Sequence, residues 1–213
     1  MAMWNLINKF LYKLTSRYSM WYTFNHSQRD AMSTLERLGV GHGTVRFYGC
    51  CHIRVAKGGR MNIGNNFLCQ SGPFASIDCQ NESKLQVEEN GNLVISDNVG
   101  MSSIIIHCWN SITIEDHVMI GAGCMIFDTN FHNVDSETRC STDCRTKVVT
   151  APILIKENAF IGARCIICKG VTIGKNSVVA AGSVVVKSIP DNEVWGGNPA
   201  RFIKTINGDK YDE

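Results

Sequence analysis

Six residues separate each member of the series Ile155, Ile161, Ile167, Ile173, Val179 and Val185, and the spacing never slips. An α-helix cannot use this period, because six residues turn it by about 600° and the apolar stripe would spiral off any one face. Short flat strands joined by sharp corners can use it, with each aliphatic anchor pointing inward and a small residue filling the next inward slot. Four places after the first five anchors stand Ala159, Cys165, Val171, Ser177 and Ser183. Ile114, Ile120 and Ile126 run in the same phase, followed at the fourth place by Val118, Cys124 and Asn130. Ile63 with Phe67 and Ile95 with Val99 look like isolated members. Self-similarity at this period marks a β-solenoid.

The third place after each anchor is an independent check. It holds Asn66, Asn98, His117, Gly123, Asn158, Arg164, Gly170, Asn176 and Gly182. All but Arg164 belong to the residue types that tolerate positive φ best, as a recurrent left-handed corner requires. The expected fold is therefore an all-β solenoid, a left-handed parallel β-helix with a short N-terminal helix and a projecting loop.

Residues 1–44 read as an N-terminal helical segment and linker. Trp4, Ile7, Leu11, Leu14 and Tyr18 are at helical spacing, and Lys9, Lys13 and Arg17 form a basic stripe on another face. That helix either packs on the solenoid or makes a weak contact with an anionic membrane surface. A polar linker is expected around 25–34, with a short helix near 28–38. The β-helix itself is expected over 45–190, interrupted by the polar loop 133–150, which breaks the period and must project. Residues 191–213 form a capping segment and tail, since solenoid ends must be capped.

Composition narrows the function. Charged residues make up 19% and the net charge is +2, with Lys and Arg scattered, so no nucleic-acid partner is expected. The N-terminus lacks the pattern of a signal peptide, and no apolar run approaches a membrane span, so a cytoplasmic protein with reduced thiols is expected despite ten cysteines. Cys165 and Cys168 spell CxxC, but Cys165 falls in the small inward slot and no second CxxC completes a zinc set. No metal is expected. His117 occupies a corner, which turn geometry explains without chemistry.

Several stretches together resemble the hexapeptide-repeat acyltransferases, particularly the maltose/galactoside and surface-polysaccharide O-acetyltransferase branch. They are Ile104-Ile105-Ile106-His107-Cys108-Trp109-Asn110, Ile112-Thr113-Ile114-Glu115-Asp116 and Asp128-Thr129-Asn130-Phe131-His132 with its loop. Ile161-Gly162-Ala163, Gly170-Val171-Thr172-Ile173-Gly174, Ala181-Gly182-Ser183-Val184-Val185-Val186-Lys187 and Gly197-Asn198-Pro199-Ala200-Arg201 continue it. The resemblance covers about residues 95–203. It implies acetyl-CoA as co-substrate, a homotrimer with sites between subunits, and His132 as general base. It also implies that Ala163, Ala181, Val186 and Lys187 line the pantetheine and diphosphate path, and that Arg201 and Lys204 stand near the nucleotide phosphates. Family members often carry Thr or Ser where Val186 stands. Ser102 or Ser103 falls near an acetyl-contacting polar position, the register slip between His107 and Ile114 leaving the choice open.

Transfer to a sugar hydroxyl, of a surface polysaccharide or its precursor, is then the expected reaction. A hydroxyl is a weak nucleophile at neutral pH, and a neutral imidazole can accept its proton as it attacks. A thiol with a pKa near 8.5 leaves readily, so one base and one oxyanion donor suffice without a covalent intermediate. Asp128 either orients the imidazole, binds acceptor or closes a turn. Trp109 and His107 line the acceptor pocket or form a core pair, and Glu137 and Arg139 on the loop are further acceptor candidates. Trp195 stacks near the donor or caps the solenoid. Competing classes are acetylation of another small molecule such as an amino sugar or antibiotic, and a non-catalytic scaffold. The γ-type carbonic anhydrases share the solenoid, but no two histidines here are five apart.

Overall fold

A computed structural model describes residues 25–75, 77, 81–142, 144 and 148–206. The expected helix over 1–22, with the membrane contact considered for it, lies outside the described residues. Among these residues no helix is long and apolar enough to cross a membrane.

The chain winds into a three-walled column. Wall 1 holds six strands, from Gly41–His42 through Ser111–Ile114 to Thr172–Ile173. Wall 2 holds eight, from Val45–Tyr48 through Gly100–Ser102 and Phe160–Ile161 to the closing pair Glu193–Gly197 and Ala200–Thr205. Wall 3 holds six: Cys51–Val55, Ser83–Val87, Ile105–Cys108, Met125–Phe127, Ile166–Ile167 and Val184–Val185. Every pairing is parallel until the closing hairpin, which is antiparallel. The result is the left-handed parallel β-helix that the period of six implied.

The anchors stack on one another. Ile114, Ile155 and Ile173 pair along wall 1, Ile120, Ile161 and Val179 along wall 2, and Ile126, Ile167 and Val185 along wall 3. None of these nine is more than 3% exposed. Burying each aliphatic side chain is worth about 1.5–3 kcal/mol, so the stack supplies the stability that two-residue strands cannot. All nine residues at the third place after an anchor have positive φ, from 55° at Asn66 to 75° at Gly123 and Gly170. Arg164, the apparent exception, complies at 58°. The corner asparagines also bond upward: Asn66 Nδ2 donates to Asn98 Oδ1 at 3.1 Å, and Asn176 Nδ2 to Asn192 Oδ1 at 2.8 Å. His117 belongs to this ladder, its Nε2 lying 3.4 Å from Asn98 Nδ2.

The slip in register has a local cause. Met101 pairs with Ile120 and Ile106 with Ile126, so the lower corner is one residue shorter and turns on Ser103, with φ 43°. The residues recovered further on form a bend at Cys108-Trp109-Asn110, between the wall 3 strand ending at Cys108 and the wall 1 strand starting at Ser111.

Two features depart from the sequence reading. The short helix expected near 28–38 is helix α1, over 25–37, and it takes up the residues expected as a polar linker around 25–34. Its Ala31 and Leu35 are buried in the core, so it closes the first coil of the column. Gln28 ties it down, its Nε2 donating to Val45 O at 3.0 Å and its Oε1 accepting from Phe47 N at 2.6 Å. The column also opens at Gly41–His42, slightly before residue 45. At the other end Trp195 packs against the core, and its Nε1 donates to Glu193 Oε2 at 2.6 Å.

Candidate active site

The fourth strand of wall 3, Met125–Phe127, delivers the chain into a clamped turn. Asp128 follows it and is fully buried. Its Oδ1 accepts from Trp109 N and its Oδ2 from Asn110 N, both at 2.7 Å. Asp128 therefore closes the bend beneath it, and neither carboxylate oxygen is presented to solvent for an acceptor. Thr129 Oγ1 then accepts from Phe131 N at 3.1 Å, and His132 N donates to Asn130 O at 2.6 Å. Phe131 is left at φ 60°, a conformation rare and costly for a bulky residue. Its ring is held against Phe127 at 5.3 Å and His107 at 5.2 Å. This strained turn pushes His132 outward, where it is exposed.

The loop behind the turn closes on itself. Thr129 and Thr150 form an antiparallel bridge, and Ala151 N donates to Asp128 O at 3.0 Å. Within it, helix α2 spans Ser136–Cys140, capped by Asp135, whose carboxylate accepts from Thr138 N at 2.7 Å. That bond holds the Asp135 carboxyl below its usual range. Arg139 spends its guanidinium on the loop's own carbonyls, Asn133 O at 3.0 Å and Val134 O at 2.9 Å. Glu137 is exposed beside it.

His132 lines a cleft of about 650 Å³ together with Phe131, Trp109, His107, Arg54, Glu88, Glu89 and Asn90. The last four escaped the sequence reading. Register explains why they meet: Arg54, Gln86, His107 and Phe127 occupy one outward position on four successive strands of wall 3. Those residues are unevenly spaced in the chain because the lower coils are irregular, so periodicity does not expose them. Glu88 Oε1 lies 2.8 Å from His107 Nε2 and is also paired with Arg54. Burial raises the Glu88 carboxyl, but the bonds from His107 and Arg54 outweigh it and leave the pKa lowered.

The other candidates fall on other parts of the column. Ser103 is buried in its corner. Ser102 lies on wall 2, its Oγ donating to Gln70 Oε1 at 3.3 Å, and lines a second cleft with Met119, Phe160 and Ala163. One chain therefore does not bring either serine into the His132 cleft. Ala163 and Ala181 stack at the edge between walls 2 and 3, where Gly182 N donates to Ala163 O at 2.8 Å. The backbones there are nearly touching: a Cβ on Gly162 would meet Ala181 N at 2.5 Å. Val186 and Lys187 follow the last strand of wall 3 at its opposite edge and are exposed, as are Arg201 and Lys204 on the closing strand.

Among the described cysteines, Cys69, Cys108, Cys124 and Cys165 are buried packing residues. Cys124 Sγ donates to Gly162 O and Cys165 Sγ to Ala180 O, both at 3.1 Å, inside the column. Cys165 is buried and Cys168 half-exposed, so the CxxC pair points two ways. Among the described residues, one group has three metal-type ligands close together, the exposed Cys50, His52 and Glu82. It is at the first coils of wall 3 and outside the His132 cleft.

Comparison with known proteins agrees with this architecture. Residues 152–187 match the hexapeptide repeat of succinyl-transferase. The galactoside O-acetyltransferase of Escherichia coli (strain K12) is 41% identical over 97 residues, 46% of this chain and 45% of that one. WbbJ of the same organism, provisionally named for O-acetyl transfer in lipopolysaccharide biosynthesis, is 32% identical over 162 residues, 74% of this chain and 76% of that one. The chain spans about half the length of several curated relatives, 45% of the first of these and 57% of an acetyltransferase-like yeast protein. Among solved structures, AntD, an N-acyltransferase from Bacillus cereus in complex with dTDP and coenzyme A, superposes with a TM-score of 0.63 at 20% identity, covering 82% of this chain and 89% of that one. The period of six, the positive-φ corners and these matches lead to one assignment: the chain belongs to the hexapeptide-repeat acyltransferases, in the branch of the galactoside and surface-polysaccharide O-acetyltransferases.

Proposed function

We propose that this protein transfers an acetyl group from acetyl-CoA to a sugar hydroxyl of a surface polysaccharide or its precursor, with His132 as general base. The observation that carries this reading is the strained turn 129–132, which holds an exposed imidazole over a cleft floored by aromatic rings. His132 takes the hydroxyl proton as the sugar oxygen attacks the thioester carbonyl, and returns it to the departing thiolate. No covalent enzyme intermediate is needed, and base catalysis of this kind is worth about 10²–10⁴ in rate.

The residues for the donor fit it. Lys187 stacks two strands above Asp128 on the same edge of wall 3, through Lys169, so a chain laid from His132 toward Lys187 follows that edge. Its charge, with Arg201 and Lys204 beyond, suits phosphates. Ala163, Ala181 and Ser102 are at the opposite edge, and would complete the same site only from a neighbouring subunit. A homotrimer, with each groove formed by unlike edges of two columns, accounts for the split. Val186 offers no side-chain hydrogen bond there.

The test is thiol release from acetyl-CoA across neutral sugars, amino sugars and nucleotide sugars. His132→Ala is expected to keep acetyl-CoA binding and lose turnover by about 100-fold or more. Unchanged turnover would remove His132 from the mechanism, and acetylation of amino groups alone would replace the O-transfer reading.

A further inference from the structure

The cleft beside His132 contains a hydrogen-bonding conflict that points to its occupant. His107 Nε2 lies 2.8 Å from Glu88 Oε1 and 3.3 Å from Trp109 Nε1. A single ring nitrogen cannot donate to a carboxylate and accept from an indole N–H at once. The shorter contact, with a charged acceptor, is the stronger. With Nε2 donating to Glu88, the ring nitrogen that the Trp109 indole N–H faces no longer accepts, and that N–H is available to a ligand. Glu88 is in the complementary condition. Its Oε1 serves both His107 and Arg54, so on a residue that lines the cleft Oε2 is the oxygen with lone pairs to offer.

The cleft therefore offers a donor at Trp109, an acceptor at Glu88 and remaining guanidinium donors at Arg54, beside an aromatic floor. A sugar ring answers each of these, since its hydroxyls donate and accept while its C–H face lies on an aromatic ring. Charge narrows the class further. Arg54 is already committed to Glu88, and Glu89 adds a second carboxylate to the same wall. An acceptor bearing its own carboxylate or phosphate would bring a like charge to a cleft in which, among the described lining residues, the one arginine is already paired, a costly arrangement.

Building on the saccharide reading above, we propose that Glu88, Arg54 and Trp109 form the acceptor-selecting subsite, and that it takes a neutral hexopyranoside and rejects anionic sugars. Glu88 receives hydroxyl protons from the ring, Trp109 donates to a ring oxygen or hydroxyl, and His107 acts through Glu88 as a positioning residue. The space suits it, because sites for ligands of drug size run from about 300 to 1,000 Å³.

Initial rates of thiol release with methyl hexopyranosides and the matching methyl hexopyranosiduronates test this. The neutral sugars should be favoured by about tenfold or more in kcat/KM. Glu88→Gln should raise the acceptor KM by about tenfold with the acetyl-CoA KM held, and Glu88→Asp should recover part of the loss. Should Glu88→Gln fail to fold, Trp109→Phe carries the test, since it keeps a ring and removes the N–H; it too should raise the acceptor KM. A preference for uronosides, or an acceptor KM unmoved in these variants, overturns the subsite. His132→Ala separates the two readings. Full turnover in that variant with a raised KM in Glu88→Gln removes the base and leaves the subsite standing, whereas collapsed turnover with an unmoved KM does the reverse.

Discussion

At the scale of single residues, three side chains concentrate the cost of this architecture. Asp128 satisfies two backbone N–H groups with no access to solvent. Asp128→Asn keeps the size but turns an amide N–H toward one of those donors, leaving it unsatisfied. Chemical denaturation should show a loss of about 1–3 kcal/mol. Arg164 holds φ 58° although its neighbours in the series use Asn and Gly. Arg164→Asn should raise stability by up to about 1 kcal/mol, read as a higher melting temperature. Cys108 is the third: burial, then the nearby Asp128 charge, pushes its thiol up to about 12 from an ordinary value near 9. The folded state thus binds one more proton than the unfolded state between these values. Stability is fully present below pH 9 and falls as pH rises toward 12, by up to about 4 kcal/mol. Urea unfolding from pH 8 to 10.5 should show this slope in wild type and a shallower one in Cys108→Ala.

At the scale of elements, the strands are too short to hold themselves and depend on the inward stack. Ile167, buried between Ile126 below and Val185 above, is a clean instance. Ile167→Ala should cost about 2–5 kcal/mol by denaturant titration, whereas the outward Ile166 beside it should tolerate Thr at little cost. These rungs were legible in the chain because two demands, apolar anchors and left-handed corners, recur at one spacing. His132 stood out for the same reason, at the place where the repeat breaks. The irregular coils were not legible. Arg54, Glu88 and His107 meet through register across coils of unequal length, and no local pattern announces that meeting. Nor could spacing decide among the roles of Asp128, since its burial depends on a bend three strands earlier in the chain. Helix α1 starts before the short helix expected near 28–38, because its apolar pair, Ala31 and Leu35, leaves the first turns polar and outward-facing.

At the scale of the whole molecule, one column displays the parts of the proposed site on separate edges. Light scattering on the purified protein should therefore give three times the chain mass, and a charge introduced on the exposed apolar face of wall 2, as in Met119→Glu, should lower both that mass and the turnover. A monomer with full activity would contradict shared sites. Stacking also makes length discrete. Adjacent strands are about 4.8 Å apart, and Lys187 stands two such steps from the level of Asp128. The column is then a ruler graduated in coils, and splicing one extra 18-residue turn after Gly170 would carry Lys187 and the closing hairpin one graduation farther from His132 without touching the imidazole. A donor of fixed length would no longer span the two ends, so the protein would be expected to keep its fold and its sugar cleft while its hold on acetyl-CoA fails.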